Sequence, residues 1–265
     1  MTVLDLFKLT GKNALVTGGA KGIGTKINES LLEAGVKSLT FCGRGRHGSM
    51  EEEQERLQEL FPDRDIRGIK CDITEETDID SLIESIKDLK SLEILVNNAG
   101  VTWLAPTMDQ TLKSWNRTID TNLTGTFLVC RNIIRDMMLG KCDSASIINI
   151  ASILGIKGNA EVSQIGYTAS KSGLLGLTRQ LAIEFASNDI RVNSILPGFI
   201  EGDTMAEIFT QEGSPIRETL TDMIPLRRFV SSNDIKGLVT FLASEASSYI
   251  TGQSIVLAGG LSVKL

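Results

Sequence analysis

The chain has 265 residues, 42% of them hydrophobic and 23% charged, which is enough apolar material for the core of one large α/β domain. Its 33 acidic residues outnumber 27 basic ones, and the net charge of −6 repels phosphate backbones and argues against nucleic-acid binding. With His47 the sole histidine, neither a His-based zinc site nor a Ser-His-Asp triad is expected, and four cysteines without a CxxC pair suit a reduced interior.

Short apolar runs alternate with longer amphipathic ones, the pattern of repeated βα units. Asn13–Thr17 reads as a first strand that runs into the turn Thr17-Gly18-Gly19-Ala20-Lys21-Gly22-Ile23-Gly24. Thr25 to Ala34 has helical spacing and stops at Gly35, a C-cap. Ser38–Cys42 is a second strand, Glu51–Leu60 a charged helix, and Ile66–Cys71 a third strand. Further strands fall at Glu93–Asn97, Ser146–Ile150, Ile190–Leu196 and Ser254–Leu257. Strands this continuously apolar are covered on both faces, so the expected architecture is a doubly wound α/β (Rossmann) fold with a seven-stranded parallel sheet. Residues 1–265 form a single domain in this reading, and Phe199 to Pro225 breaks the alternation as a flexible, partly helical substrate lid.

The glycines have GxxxGxG spacing, and their position between a strand and a helix gives the turn its meaning. Small residues let the backbone approach a pyrophosphate while the next helix aims its first N–H groups at it. The end of the second strand indicates which nucleotide. A carboxylate there would suit a free ribose, whereas this chain has Gly43-Arg44-Gly45-Arg46, with Lys21 inside the turn. Cations attract a 2′-phosphate, and charge-assisted hydrogen bonds contribute roughly 1.5–3 kcal/mol each. NADP(H) is therefore the expected cofactor, with Lys21 and Arg44 on the phosphate and Arg46 either a contact or a bystander. Tyr167 and Lys171 lie four residues apart, on one helical face. A tyrosine ionises near pKa ~10, and a fixed neighbouring cation favours its phenolate.

Together these motifs, in order along nearly the whole chain, resemble the short-chain dehydrogenase/reductase family. The resemblance is nearest to its β-ketoacyl reductase-like and gluconate dehydrogenase-like NADP-dependent members. It implies a catalytic tetrad of Asn122, Ser152, Tyr167 and Lys171. Ser152 would hydrogen-bond the substrate oxygen and Tyr167 would donate the proton. Lys171 would hold the cofactor ribose, and Asn122 would anchor a water through its backbone. The resemblance also assigns cofactor contacts to Gly18, Lys21, Gly22, Ile23, Gly24 and Arg44, and then to Asp72 and Ile73 after the third strand. Asn98, Ala99 and Gly100 of the NNAG element, Tyr167, Lys171, and Pro197, Gly198 and Ile200 complete the set; no metal is implied.

Some positions depart from the family pattern. Ser152 and Tyr167 stand 15 positions apart, a longer gap than in many relatives. Gly202 replaces a threonine that often contacts the carboxamide, with Thr204 nearby, and Ala258-Gly259-Gly260 stands where Asp-Gly-Gly is common. Trp103 either lines the pocket or packs. Members that dock an acidic acyl carrier use basic residues before strands five and six, where this chain has Asp143 and Asn188. A free ketone, keto-acid or sugar derivative is therefore favoured over a carrier-bound substrate.

The expected activity is NADPH-dependent reduction of a small carbonyl compound to an alcohol. The alternatives are reduction of a ketoacyl thioester, or of a ketone or imine in a secondary-metabolite pathway, and a catalytically idle NADP-binding redox sensor or scaffold. A homotetramer is expected, built on the Tyr167 helix and the helix near Asn122 to Met138. Met1 to Thr10 lacks a signal-type apolar run, and no stretch reaches the ~18 apolar residues of a membrane span, so a cytoplasmic protein is expected.

Overall fold

The computed structural model describes residues 2–45, 50–158, 163–201 and 215–263. Seven strands form one parallel sheet: β1 (Asn13–Thr17), β2 (Ser38–Gly43), β3 (Asp65–Lys70), β4 (Ile94–Asn97), β5 (Ala145–Ile150), β6 (Ile190–Pro197) and β7 (Ser254–Leu257). Their order is β3-β2-β1-β4-β5-β6-β7, so the chain reverses direction between β1 and β4. In an open α/β sheet that reversal opens a crevice at the strand carboxyl ends, the place where ligands bind.

Eight helices flank the sheet among the described residues: α1 (Ile23–Glu33), α2 (Met50–Leu60), α3 (Glu76–Ser85), α4 (Leu112–Ile119), α5 (Gly125–Ile133), α6 (Ile165–Phe185), α7 (Pro215–Met223) and α8 (Ser232–Ala243). Side chains alternate along each strand, so each strand serves two cores. Ala14, Val16, Phe41 and Ile148 pack with α1, α2 and α8 on one face. Leu15, Leu95 and Ile147 pack with α3, α5 and α6 on the other. A third apolar cluster forms beyond the strand ends, where Ile153, Leu154, Leu174 and Leu196 meet Leu220, Phe229 and Leu261.

All seven expected strands are present, with ends moved by a residue. The third begins at Asp65, because Asp65 pairs with Ser38, and Cys71 lies just past its end, donating its N–H to the Gly43 carbonyl. The first helix starts at Ile23 rather than Thr25. Gly22, at φ +56°, is its N-cap, so the last glycine of the turn already belongs to the helix. Within the expected lid, Ile200 bridges Val230 and α7 is helical, while residues 202–214, including Gly202 and Thr204, lie outside the described residues. Arg46 also lies outside them.

Candidate active site

A cleft of about 210 Å³ opens at the crevice between β1 and β4. At one end its wall is the glycine turn, with Gly18, Ala20, Lys21, Gly22 and Ile23. The turn is held from beneath: the Gly18 N–H donates to the Cys42 carbonyl at 2.7 Å, and the Asn28 amide donates to the Gly19 carbonyl at 2.9 Å. Gly18 has φ +66°, and a Cβ there would lie 2.8 Å from Cα of Ala99. Gly24 is not on the cleft wall. A Cβ at that position would collide with the carbonyl oxygen of Gly18, so its lack of a side chain lets α1 press against the turn.

Arg44, Asp72 and Ile73 line the same end, at the tips of β2 and β3. One Asp72 carboxylate oxygen accepts from the Thr74 N–H at 3.1 Å and from the Thr74 hydroxyl at 2.8 Å. Asn98, Ala99 and Gly100 form the floor. The Asn98 side chain donates to the carbonyls of Thr17 and Gly18, and the Asn98 and Ala99 N–H groups both donate to the Thr17 hydroxyl at 3.1 Å. Two strand ends are thereby locked together where the glycine turn begins.

Ser152, Tyr167 and Lys171 line the other end with Pro197, Gly198 and Ile200. Lys171 is buried and donates to the Ile150 carbonyl at 2.7 Å, with its ammonium 5.5 Å from the centre of the Tyr167 ring. The expected one-face pairing on α6 is thus present. Ser152, at the end of β5, accepts from the Leu154 N–H at 3.2 Å, a bond that uses a lone pair of its hydroxyl and not its proton.

Asn122 does not line the cleft. It is fully buried behind the wall, in a π turn (Asp120–Thr124) that joins α4 to α5. Its side chain clamps Val101 by accepting from that N–H at 2.8 Å and donating to that carbonyl at 2.9 Å. It also donates to the Ser170 hydroxyl at 3.0 Å, which in turn donates to the Tyr167 carbonyl at 2.7 Å. Asn122 is expected to anchor a water through its backbone, and its carbonyl accepts from the Thr126 hydroxyl at 3.0 Å.

Several site residues carry no motif signal. Met50, Cys71, Val101 and Thr121 line the cleft because neighbouring elements bring them there. Ser170 and Thr17 act behind it. A buried chain runs from Asn97 to Asn149 to Thr178, with both bonds at 2.9 Å, and ties β4, β5 and α6 together. Polar residues alternating within apolar strands were the one available sign of that chain. Trp103 is about half exposed and is not on the cleft wall.

The crevice, its glycine turn and the residues gathered at its far end define a nucleotide-dependent α/β oxidoreductase. A family model described as enoyl-(acyl carrier protein) reductase matches residues 18–262. The chain belongs to the short-chain dehydrogenase/reductase family. It is similar to the 3-oxoacyl-[acyl-carrier-protein] reductase FabG of Aquifex aeolicus, 37% identical over 96% of this chain and 98% of that one. Its structure is similar to that of a short-chain type dehydrogenase/reductase from Mycobacterium marinum, with a TM-score of 0.90 and 33% identity over 99% and 100% of the two chains. It is also similar to a gluconate 5-dehydrogenase from Burkholderia cenocepacia J2315 in complex with NADP and tartrate, with a TM-score of 0.89 and 27% identity over 100% of both chains.

Proposed function

We propose that the protein reduces a ketone to an alcohol with NADPH, using Tyr167 as the general acid. The observation that carries this reading is the convergence of Ser152, Tyr167 and a buried Lys171 on one end of a cleft whose other end is the glycine turn. Gly18 and the first turn of α1 leave backbone room and N–H groups for a pyrophosphate. Arg44 and Lys21 on the same wall are the charges a 2′-phosphate requires, and the similar gluconate 5-dehydrogenase was solved with NADP. Asp72 and Ile73 would hold the adenine, Asn98 to Gly100 the adjoining ribose, and Pro197, Gly198 and Ile200 the nicotinamide.

When bound, NADPH supplies the hydride. As negative charge grows on the substrate oxygen, the Ser152 hydroxyl donates a hydrogen bond to it and the Tyr167 phenol gives up its proton. The Lys171 ammonium stabilises the charge left on the phenol, because it lies on the same side of α6. Asn122 keeps the wall in register through Val101 and Ser170. A positioned acid contributes roughly 10²–10⁴ in rate. Tyr167→Phe should therefore lose turnover by about that factor while still binding NADPH. The test is NADPH consumption against a panel of ketones, with the variant and NADH run alongside. Turnover by the variant at the wild-type rate sinks the role of Tyr167. Binding of NADPH with no turnover of any carbonyl by the wild type leaves a binding module instead.

Reduction of a carrier-bound ketoacyl thioester is disfavoured by the exposed Asp143 and Asn188 just before β5 and β6, which offer an acidic carrier one like charge and one neutral side chain. We propose a cytoplasmic homotetramer, for whose contacts the surface offers apolar faces. Phe127 and Ile183 are exposed on α5 and α6, and a second face is offered by the edge strand β7. The edge at β3 is blunted by charge, with Arg67 paired to Asp65 and Asp88, whereas β7 carries none and exposes Val256. Among the described residues no helix is long and apolar enough to cross a membrane.

A further inference from the structure

Most of the carbonyl oxygens of the glycine turn are taken by donors of the protein itself. Those of Thr17 and Gly18 accept from the Asn98 side chain at 3.1 and 2.9 Å. The Lys21 carbonyl accepts from the Gly24 N–H at 3.1 Å, and the Gly22 carbonyl from the Thr25 hydroxyl at 2.9 Å. A phosphate group binds N–H donors and is repelled by carbonyl oxygens. A turn with its carbonyls tied back therefore keeps its donors for an anion.

The Gly19 carbonyl is held from α1 instead, accepting from the Asn28 amide at 2.9 Å. Asn28 is fully buried, and among the described residues its amide oxygen has no hydrogen-bond partner. A buried acceptor left unpaired costs stability, and an apolar side chain at this place would avoid that cost. Stability therefore does not account for the amide, whereas its bond to Gly19 does. Residue 19 must be small for that bond to form. A Cβ on Gly19 would lie 3.2 Å from both polar atoms of the Asn28 amide and 2.5 Å from Cβ of Phe41. Gly19 is not one of the three motif glycines, so its pairing with Asn28 is a separate feature of this turn.

The Gly19–Ala20 peptide is trans, and a trans peptide points its carbonyl and its N–H in opposite directions. Gly19 is off the cleft wall with its carbonyl bonded to α1, while Ala20 is on the wall. None of the described residues accepts from the Ala20 N–H. From this we infer that Asn28 is a positioning residue for the nucleotide: by holding the Gly19 carbonyl on α1 it presents the Ala20 N–H to a phosphate of the cofactor. The inference rests on the NADPH reading above and adds to it a residue that never touches the ligand.

Asn28→Ala tests it, with NADPH binding followed by fluorescence titration and stability by urea unfolding. Binding should weaken by about 10-fold or more, the loss of one hydrogen bond to a charged group. The urea midpoint should hold or rise, because the unpaired acceptor is gone and alanine suits a helix interior. In turnover, KM for NADPH should rise by a larger factor than kcat falls. Asn28→Ser, whose short hydroxyl bonds within its own helix, should give the same results. Hydrogen exchange adds a readout independent of turnover: at equal occupancy, NADPH should slow exchange at Ala20 less in the variants than in the wild type. A midpoint that falls together with the affinity would make Asn28 a packing residue and overturns the inference. Unchanged affinity, or equal protection of Ala20, also overturns it and leaves the reductase reading standing. If the wild type itself does not bind NADPH, the cofactor reading falls and this inference falls with it.

Discussion

At the scale of single residues, position and charge divide the work. Lys171 is a buried cation that donates to the Ile150 carbonyl, which holds its ammonium 5.5 Å from the centre of the Tyr167 ring. Asn122 contributes from behind the wall. Its amide satisfies both backbone groups of Val101 and the Ser170 hydroxyl, so replacing it would orphan several buried polar groups. Arg44 is the residue on which cofactor preference turns in the proposed reading. Arg44→Ala should weaken NADPH binding by about 10- to 100-fold, the equivalent of one charge-assisted hydrogen bond, and leave NADH binding nearly unchanged. Titration of both nucleotides checks this, and an equal loss for the two would place Arg44 off the 2′-phosphate.

At the scale of elements, the contact between α1 and the glycine turn matters most. Gly24 lies in the first turn of α1 directly against the Gly18 carbonyl, so a methyl group has nowhere to go unless the helix moves. Overpacking of this kind costs about 1–3 kcal/mol. Gly24→Ala should lower the urea midpoint accordingly and also weaken NADPH binding, because the displaced backbone is the one assigned to the phosphate in the proposed reading. A variant with normal midpoint and normal binding would show that the turn yields easily. The π turn between α4 and α5 is a second case. Gly125 follows it and donates to Asp120, and a Cβ on Gly125 would lie 2.9 Å from Ile73. The extra residue in the turn and the missing side chain together allow the helix to pass β3's exit loop while presenting Asn122 inward.

At the scale of the whole molecule, one carboxylate joins three helices. Glu29 of α1 meets Lys236 of α8 at 2.9 Å, Arg56 of α2 at 3.0 Å and Lys26 of its own helix at 3.0 Å. Burial alone would raise its pKa, but the hydrogen bonds from Lys236 and Lys26 outweigh it and hold the group at about 2, against an ordinary value of 4.5. A carboxyl with a lowered folded pKa adds stability that is fully present above its unfolded value and is lost as pH falls through the folded one. Glu29→Gln should therefore destabilise the protein by about 1–2 kcal/mol at pH 7, between the values for exposed and buried pairs. The gap from wild type should narrow as the pH falls from about 4.5 toward about 2. Denaturant unfolding at pH 7 and pH 3 measures it, and a gap that does not change with pH would mean that packing, not charge, sets the effect.

The local chemistry of this chain was written in its sequence. Seven runs of apolar residues named seven strands, and GxxxGxG after a strand named the turn that forms one end of the cleft. Tyr167 and Lys171 announced their shared face by a spacing that any helix enforces. These signals are legible because they arise within a few residues, from backbone geometry and side-chain alternation. What only the tertiary structure decided depends on segments far apart in the chain. Thr17 and Asn98 lock two strand ends, Ser170 links Tyr167 to Asn122, and Phe199 and Met223 of α7 pack against one apolar cluster. The π turn was equally hidden, since nothing local in Asp120–Thr124 separates it from an ordinary helix. Such contacts are chosen by close packing among elements, which composition and periodicity do not encode one residue at a time.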